Sequence, residues 1–463
     1  MAIFHCCSDS FSTLHLHSCQ NFVNFVVQLT PNYSCIMNTF LKSLIVMTVI
    51  TPTIAFARSY STPEALYSRL KESFTGLRKQ VVRPAAGFIK YPYLVPAGFY
   101  SQLWDWDAFF MANHFISQGE PEYMRHWVTT FASGIDDDGY VAGCMTDKGP
   151  RNVYSGRFAM KPFLSQGAYH YSKATGDWEW LRPIYNDLNK VLQYRRATQR
   201  DSVSGLYFWE IAMQSGADNN PALNYFKDDT RSFLAADASA FQYGELKAQA
   251  AIARRLGYET DAKALTKEAD ALRDSLNAIL WNPKEKIYYN VDRQTRQQYR
   301  RIAYSAFVPL MYGMASQENG KAAIERYLLN PDHMKSPYGL RSLSKQDPDY
   351  NNKNIIVPFS NWQGPVWGIT SYIYSIGLHR YGFDDDIRWL AEVVGNLMAR
   401  DIDNYGTMHE TYHAETGEPL APSDFKYKNP DGSPQGFVSW NLTMQNILEG
   451  VLYNRWMLLD IED

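Results

Sequence analysis

The residues that decide the fold class read ADASAFQYGELKAQAAIARR over 236–255, LGYETD over 256–261 and AKALTKEADALRDSLNAIL over 262–280. Apolar side chains in the last run recur every three or four positions, which is typical of one buried helical face. The Gly-Tyr pair after Leu256 breaks the pattern and joins the two runs. This stretch therefore predicts a helical hairpin. Its buried face comprises Leu265, Ala269, Leu272, Leu276 and Leu280.

The same pattern recurs on both sides of this hairpin. Residues 163–173 pair with 184–194, and residues 367–381 pair with 387–399, again across short joints rich in helix breakers. Hairpins repeated without a repeat motif of fixed length favour a closed toroid of helices over an open solenoid. We therefore predict an all-α toroid with short β-hairpins in its loops, one of them at Lys286–Asn290.

Four loop segments carry polar and aromatic residues that helix packing does not require. They read YSQLWDWD at 100–107, WEIAMQSGADNNP at 209–221, NWQGPVW at 361–367 and MHETYHAETGE at 408–418. In the second segment, Gly, Asn and Pro favour turn geometry, so Asp218 is displayed on a loop. An Asx-rich turn that caps the next helix is the plain alternative. Indoles stack on sugar rings and carboxylates accept hydroxyl hydrogen bonds, so a sugar site is the functional interpretation.

The fourth segment also matches the zinc pattern H-E-x-x-H at His409 and His413, which requires a helix to place both imidazoles on one metal. Breakers on both sides, at 404–406 and 416–419, leave little room for that helix, so we predict no zinc. The acidic run Asp136–Gly139 is either a calcium site or a solvated turn, and the sequence does not decide between them. No cofactor is expected.

Composition narrows the function classes. The 463 residues carry a net charge of −3, and 45% of them are hydrophobic and 20% charged. A charge so close to zero gives no electrostatic argument for binding to nucleic acid or to an anionic membrane. Aromatic residues make up 15%, including 12 Trp and 32 Tyr, in keeping with a sugar-binding protein as well as with core packing.

The N-terminal region differs from the rest of the chain. Residues 1–36 hold four of the five cysteines and no Lys or Arg, and are interpreted as an upstream extension. Residues 37–57 show the basic, apolar and A-x-A order of a secretory signal, with Met37 as the start and cleavage after Ala57. A single N-terminal anchor is the alternative. Residues 58–463 are then one domain, periplasmic or secreted, with no stable membrane insertion and no disulfide, since Cys144 alone remains.

Taken in order, the four segments resemble glycoside hydrolase family 63, close to its mannosylglycerate-hydrolase-like branch, and more distantly the trehalases of family 37. The resemblance spans about Phe99 to Gly450 and implies an (α/α)6 barrel whose loops form a pocket at one end. It also implies inverting hydrolysis of a small α-linked glycoside, with Asp218 as the acid and Glu410 as the base. The chain departs from the family at Gln214, where Glu is frequent, and at Asn220, where Ser is common.

The expected substrate is a small saccharide such as an α-glucoside, an α-mannoside, a glycosyl-glycerate or a trehalose-like sugar. Asp218 needs a raised pKa to act as an acid, while the Tyr412 hydroxyl is expected to keep Glu410 ionised. The alternatives are a polysaccharide lyase or epimerase on the same toroid, a sugar-binding protein without catalysis, and a zinc peptidase. Candidate substrate-binding residues are Trp104, Trp106, Asp107, Gln214, Asn219, Trp362, Gln363, Tyr412 and Trp440.

Overall fold

The computed structural model describes residues 59–153, 156–223, 231–355, 360–421, 428–429 and 432–461. The predicted extension at 1–36 and the predicted signal at 37–57 lie outside these residues, and so does the boundary at residue 58. Within the described residues, no helix combines the length and the apolar character needed to cross a membrane.

Helices dominate the described residues, as the repeated hairpins predict. They run in chain order as α1 Pro63–Leu77, α2 Asp105–Ser117, α3 Glu122–Ala132, α4 Leu164–Thr175, α5 Tyr185–Thr198, α6 Ala236–Arg255, α7 Glu259–Ile279, α8 Val308–Met311, α9 Gln317–Ala323, α10 Gly368–Arg380, α11 Asp384–Tyr405 and α12 Thr443–Tyr453.

The even-numbered helices form a closed inner ring. Helix α2 packs against α4, α4 against α6, α6 against α8, α8 against α10, α10 against α12, and α12 returns to α2. The odd-numbered helices lie outside: α3 and α11, for example, each pack against two consecutive members of the ring. This arrangement is an (α/α)6 barrel, and it confirms the predicted toroid of helical hairpins.

Burial separates the two rings. Inner helix α10 buries every residue from Gly368 to Leu378, because neighbours cover it on all sides. Outer helix α7 buries a single stripe that includes Leu265, Leu272 and Leu276, and its other face is polar. The stripe is the one that the spacing in the sequence predicts, so the hairpin 236–280 specifies both its helices and their inward face.

The strands are short antiparallel pieces in the loops, as expected. The Lys286–Asn290 segment contributes Ile287–Tyr288, which pairs with Trp281–Asn282. The full set is β1 Val82–Arg83, β2 Tyr93–Leu94, β3 Leu103–Trp104, β4 Cys144–Thr146, β5 Gly149–Pro150, β6 Phe233–Leu234, β7 Trp281–Asn282, β8 Ile287–Tyr288, β9 Asn290–Asp292, β10 Gln298–Tyr299, β11 Lys335–Ser336, β12 Gly339–Leu340, β13 Val366–Trp367 and β14 Thr411–Tyr412.

Two of these pairings position functional side chains. Strand β3 runs directly into inner helix α2, and Trp104 lies opposite Cys144 of β4. Strand β13 runs directly into inner helix α10 and pairs with β14, with Trp367 opposite Thr411. The segment around Glu410 is thereby attached to the start of an inner helix, although it follows an outer one in sequence.

Candidate active site

The four predicted segments meet in one pocket, which spans about 790 Å³ including its solvent-open mouth. Its walls come from the loops that lead into the inner helices and from the first turn of α2, so it lies at one end of the ring. Eight of the predicted site residues line it: Trp104, Trp106, Asp107, Gln214, Asp218, Trp362, Glu410 and Trp440.

Asp218 lies on a tight loop packed against the aromatic wall. A short 3₁₀ helix, Ala212–Ser215, ends at Gly216, whose backbone adopts a left-handed conformation with φ of 84°. A Cβ atom at this glycine would lie 2.3 Å from the Trp106 ring, so both the conformation and the close approach require glycine. The Asp218 carboxylate accepts a hydrogen bond from the backbone N–H of Ser360 over 3.1 Å. Burial raises the pKa of Asp218 to about 6.

Glu410 lies deeper in the same pocket, just before β14. Its side chain is buried, and its Oε2 accepts a hydrogen bond from the Ser360 hydroxyl over 3.1 Å. Burial is the main cause that raises the pKa of Glu410 to about 8, and the nearby Asp218 and Asp107 carboxylates add to the shift. The hydroxyl of Ser360 opposes it, because it stabilises the ionised carboxylate.

Ser360 therefore contacts both candidate catalytic carboxyls. Its backbone N–H donates to Asp218 and its hydroxyl donates to Glu410. Because the two donor atoms belong to one residue, the bonded carboxylate oxygens lie no more than about 10 Å apart. This upper limit is compatible with the distance between the two catalytic carboxyls in inverting glycosidases, and equally with the shorter distance in retaining ones. Nothing in the sequence pattern singles out Ser360, since one serine before an aromatic turn is unremarkable.

A third carboxyl and an ion pair complete the charged part of the pocket. Asp107, in the first turn of α2, has its pKa raised to about 7 by burial, against the opposing effect of Lys161. The ammonium group of Lys161 lies 3.1 Å from Oδ1 of Asp105 and 5.0 Å from the centre of the Trp106 ring. Sequence reasoning missed Asp105 as a charge partner, and Lys161 lies outside all four segments.

The aromatic wall is built from stacked indoles. Trp362 stacks on Trp367 with ring centres 4.1 Å apart, and Trp106 lies 5.9 Å from Trp362 and 5.7 Å from Trp440. The indole N–H groups of Trp104, Trp362 and Trp440 have no hydrogen-bond partner among the described residues. The apolar ring faces on this wall suit stacking against a sugar ring.

Two predicted contact residues, Asn219 and Gln363, lie behind the wall instead of lining it. Asn219 Oδ1 accepts the backbone N–H of Trp362 over 2.6 Å, and Gln363 Nε2 donates to the carbonyl of Asn219 over 3.1 Å. Their amides are used to join the Asp218 loop to the segment of Trp362. Neither residue lines the pocket as the sequence predicted, because spacing in sequence does not show which side of a loop faces the cavity.

Tyr412 also differs from expectation. Its hydroxyl donates to Oδ2 of Asp401 over 3.0 Å and does not bond to Glu410. The backbone N–H and Nδ1 of His409 bond to the same buried carboxylate over 2.6 Å and 2.8 Å. Asp401 thus holds the strand from behind, and the hydroxyl beside Glu410 comes from Ser360 instead.

Gln214 lines the pocket, but both the oxygen and the nitrogen of its amide already form hydrogen bonds to the protein backbone. Its Oε1 accepts the backbone N–H of Glu210 over 2.8 Å, and its Nε2 donates to the carbonyl of Ala159 over 3.1 Å. A carboxylate has no hydrogen to offer to that carbonyl, so the amide at this position matches its surroundings.

The residues of both metal patterns are engaged with other protein groups. Thr411–Tyr412, inside H-E-x-x-H, form a strand rather than a helix, as the flanking breakers predict, and the Nδ1 atoms of His409 and His413 already bond to protein groups. In the turn at 136–139, Asp136 and Asp138 each bond to the Arg157 guanidinium over 2.8 Å. The described residues contain no group of three potential metal ligands.

Comparisons with known proteins agree with this geometry. Residues 100–427 match the family described as mannosylglycerate hydrolase MGH1-like glycoside hydrolase domain. The mannosylglycerate hydrolase of glycoside hydrolase family 63 from Thermus thermophilus, solved with glucose, superposes with a TM-score of 0.61 at 17% identity, over 82% of this chain and 98% of that one.

Trehalases are more distant matches. The neutral trehalase Nth1 from Saccharomyces cerevisiae superposes with a TM-score of 0.59 at 14% identity, over 78% of this chain and 74% of that one. The periplasmic trehalase of Escherichia coli O1:K1 / APEC is 20% identical over an alignment of 400 positions, and the match covers 71% of this chain. The chain spans 66% of the length of that trehalase.

Proposed function

Because the chain belongs to the mannosylglycerate hydrolase MGH1-like glycoside hydrolases, we propose that it cleaves a small α-linked glycoside with inversion of the anomeric configuration. The observation that carries this proposal is the bridge through Ser360, which holds the half-buried Asp218 carboxyl and the buried Glu410 carboxyl in one tryptophan-lined pocket. Membership of a glycoside hydrolase family favours hydrolysis over the lyase, epimerase and peptidase alternatives.

Each carboxyl has one role in the proposed reaction. Asp218 donates its proton to the glycosidic oxygen as the bond to the anomeric carbon breaks. Glu410 accepts a proton from a water molecule, whose oxygen bonds to the anomeric carbon from the opposite face of the ring. The leaving group departs as a neutral alcohol, and the product sugar carries the β configuration. Trp104, Trp106, Trp362 and Trp440 supply ring faces to the sugar, and Asp107 accepts its hydroxyls.

Burial raises the pKa of both carboxyls, that of Asp218 to about 6 and that of Glu410 to about 8. The active form needs Glu410 ionised and Asp218 protonated, and the pair titrates in two coupled steps. The pH profile of kcat/KM is therefore bell-shaped, with its acidic limb near pH 6 and its alkaline limb near pH 8. In this order of pKa values the alkaline limb reports Glu410.

We predict that Ser360→Ala moves this alkaline limb upward by about one pH unit and lowers the maximum of kcat/KM about tenfold. The substitution removes the hydroxyl that stabilises the ionised Glu410, so its pKa rises and the active form becomes rarer. Measuring kcat/KM from about pH 4 to 10 tests this. Ser360→Thr keeps the hydroxyl and retains the wild-type profile. A shift of the acidic limb instead would reverse the order of the two pKa values.

A substrate panel tests the function itself. Trehalose, other α-linked glucosides and mannosides, and α-glycosyl-glycerates are incubated with the protein, and the configuration of the first-released sugar is followed by proton NMR before it mutarotates. We expect hydrolysis of at least one member with the β anomer as the initial product. Initial release of the α anomer would contradict inversion, and no hydrolysis of any member would contradict the proposed substrate class.

For location, we propose the periplasm or secretion, on the strength of the signal-like segment at 37–57. The word periplasmic in the name of the Escherichia coli trehalase points the same way. Fractionation of cells that express the full chain, followed by mass spectrometry of the mature N-terminus, tests it. A mature chain that retains residues 37–57 would overturn the proposal.

A further inference from the structure

The chain is held by different contacts on the two sides of Glu410. On the C-terminal side, strand β14 pairs with β13, and Thr411 lies opposite Trp367. On the N-terminal side, His409 comes before the first residue of β14 and lies outside that ladder. The position of the Glu410 carboxyl therefore depends on what holds His409.

Two side chains from other elements hold His409. Asp401, near the end of outer helix α11, accepts the backbone N–H of His409 over 2.6 Å and contacts its Nδ1 over 2.8 Å. The amide of Asn441, in the 3₁₀ helix Ser439–Leu442 that precedes α12, donates to the carbonyl of His409 over 2.7 Å. Asp401 and His409 are only 2% and 3% exposed, so bulk water does not replace these bonds.

Tyr412 brings a third donor to the same carboxylate. Its hydroxyl donates to Oδ2 of Asp401 over 3.0 Å. Asp401 thus contacts the residue before Glu410 and the residue two positions after it. A carboxylate offers only acceptor oxygens, so it can satisfy a backbone N–H, a ring N–H and a hydroxyl at the same time. One side chain of an outer helix thereby joins both sides of the Glu410 segment.

The burial of Asp401 is explained by that segment and not by its own helix. Two residues further along α11, Asp403 is exposed and pairs with Arg69 at the surface, as acids on outer helices usually do. A buried carboxylate, in contrast, is costly unless its oxygens are hydrogen-bonded. The donors that offset this cost for Asp401 come from His409 and Tyr412.

We propose that Asp401 is a positioning residue for the catalytic base: it holds Glu410 at the distance from the anomeric carbon that one water molecule requires. This inference rests on the proposed function, in which Glu410 activates that water. A displacement of about 1 Å in a catalytic group is enough to lower the rate about 100-fold. The indoles that receive the sugar lie on other segments, so the loss is expected in kcat and not in KM.

Two variants test the inference on the best substrate of the panel and on its α-fluoride. Asp401→Ala removes all the acceptors and is expected to lower kcat about 100-fold on both substrates, with KM within about twofold of wild type. Asp401→Asn keeps the shape and one oxygen but presents an amide to Nδ1 of His409, so a loss of about tenfold is expected. The rate is expressed per binding site, counted by calorimetric titration with the product sugar, so that unfolded protein does not count as lost catalysis.

The pH profile separates positioning from general support of the fold. Burial is the largest cause that raises the pKa of Glu410 to about 8, Asp218 and Asp107 add to it, and the Ser360 hydroxyl opposes it. A Glu410 carboxyl displaced toward solvent loses part of the largest effect. We therefore expect the alkaline limb of kcat/KM to move to lower pH in both variants, while the acidic limb stays in place.

Two control variants define the comparison. Asp403→Asn is the same chemical change on the same helix and should keep the wild-type kcat and pH profile. Leu276→Ala opens a cavity in outer helix α7 and should lower the Tm without changing the rate per site or the alkaline limb. Wild-type kcat per site in Asp401→Asn, or an alkaline limb that stays or moves upward, would overturn the inference. This variant alone decides if Asp401→Ala does not fold.

The outcome is separable from that of the proposed function. If wild type hydrolyses glycosides of the panel and the Asp401 variants match it, the proposed function stands and the positioning inference fails. If wild type hydrolyses no member, the proposed function fails, and crystal structures of wild type and Asp401→Asn still test the placement of Glu410. Loss in the variant of the 3.1 Å hydrogen bond between Ser360 and Glu410 would support the inference, and its retention would overturn it.

Discussion

Asp218→Asn is expected to lower kcat on α-glycosides with alkoxide leaving groups by about 10³-fold, in the middle of the range for loss of a general acid. The amide cannot release a proton to the glycosidic oxygen. Its shape allows it to keep the hydrogen bond from the Ser360 backbone over the observed 3.1 Å. Binding is therefore retained, and the loss appears in kcat more than in KM. Steady-state kinetics with the best member of the substrate panel measures both quantities.

An α-glycosyl fluoride of the same sugar tests whether Asp218 acts as the general acid and has no other essential role. Fluoride leaves with little need for protonation, so Asp218→Asn should recover most of its activity on this substrate. The matched control is Asp137→Asn, the same chemical change at an exposed carboxyl in the turn 136–139, which should leave both activities unchanged. If the fluoride fails to rescue Asp218→Asn, Asp218 is not the acid.

The second large effect is expected for Glu410→Ala, with a loss of kcat of about 10³-fold on glycosides and fluorides alike. The glutamate activates water whichever group leaves, so a better leaving group does not compensate for its removal. Azide needs no base, and the truncated side chain leaves space for it. Added azide should restore part of the rate and yield a glycosyl azide of β configuration, detected by NMR.

Glu418→Ala is the matched control for this second variant, because Glu418 follows Glu410 in the same loop but is exposed. It should retain wild-type kinetics and show no response to azide. An azide product of α configuration would place the nucleophile on the other face of the ring and contradict inversion. Rescue of Glu410→Ala by the fluoride alone would exchange the roles of Asp218 and Glu410.

The helical part of the fold was predictable because helical periodicity is a local property. Leu265, Leu272 and Leu276 face inward because their spacing of three or four residues places them on one side of the helix. Any arrangement of helices that buries this side would agree equally well with the pattern. The closure of the ring is different. That α12 returns to α2 depends on contacts between residues far apart in the chain, which periodicity does not specify. The lack of a repeat motif of fixed length favoured a closed toroid, and the resemblance to a known family supplied its form as an (α/α)6 barrel.

The candidate site likewise has a part that the local sequence predicts and a part that depends on contacts between distant segments. The sequence by itself determined the candidate residues for the proposed chemistry: a carboxyl displayed on a Gly-Asn-Pro loop, a second one at Glu410, and indoles placed beside breakers. Local backbone preference and side-chain chemistry are enough to select these candidates, and the resemblance to the family added the acid and base roles. Only the tertiary structure decided that Ser360 bridges Asp218 and Glu410, that Tyr412 bonds to Asp401, and that Lys161 is paired with Asp105. Each of these is a directional contact between distant segments, and a hydrogen bond selects its partner by position in space, which a linear sequence does not record.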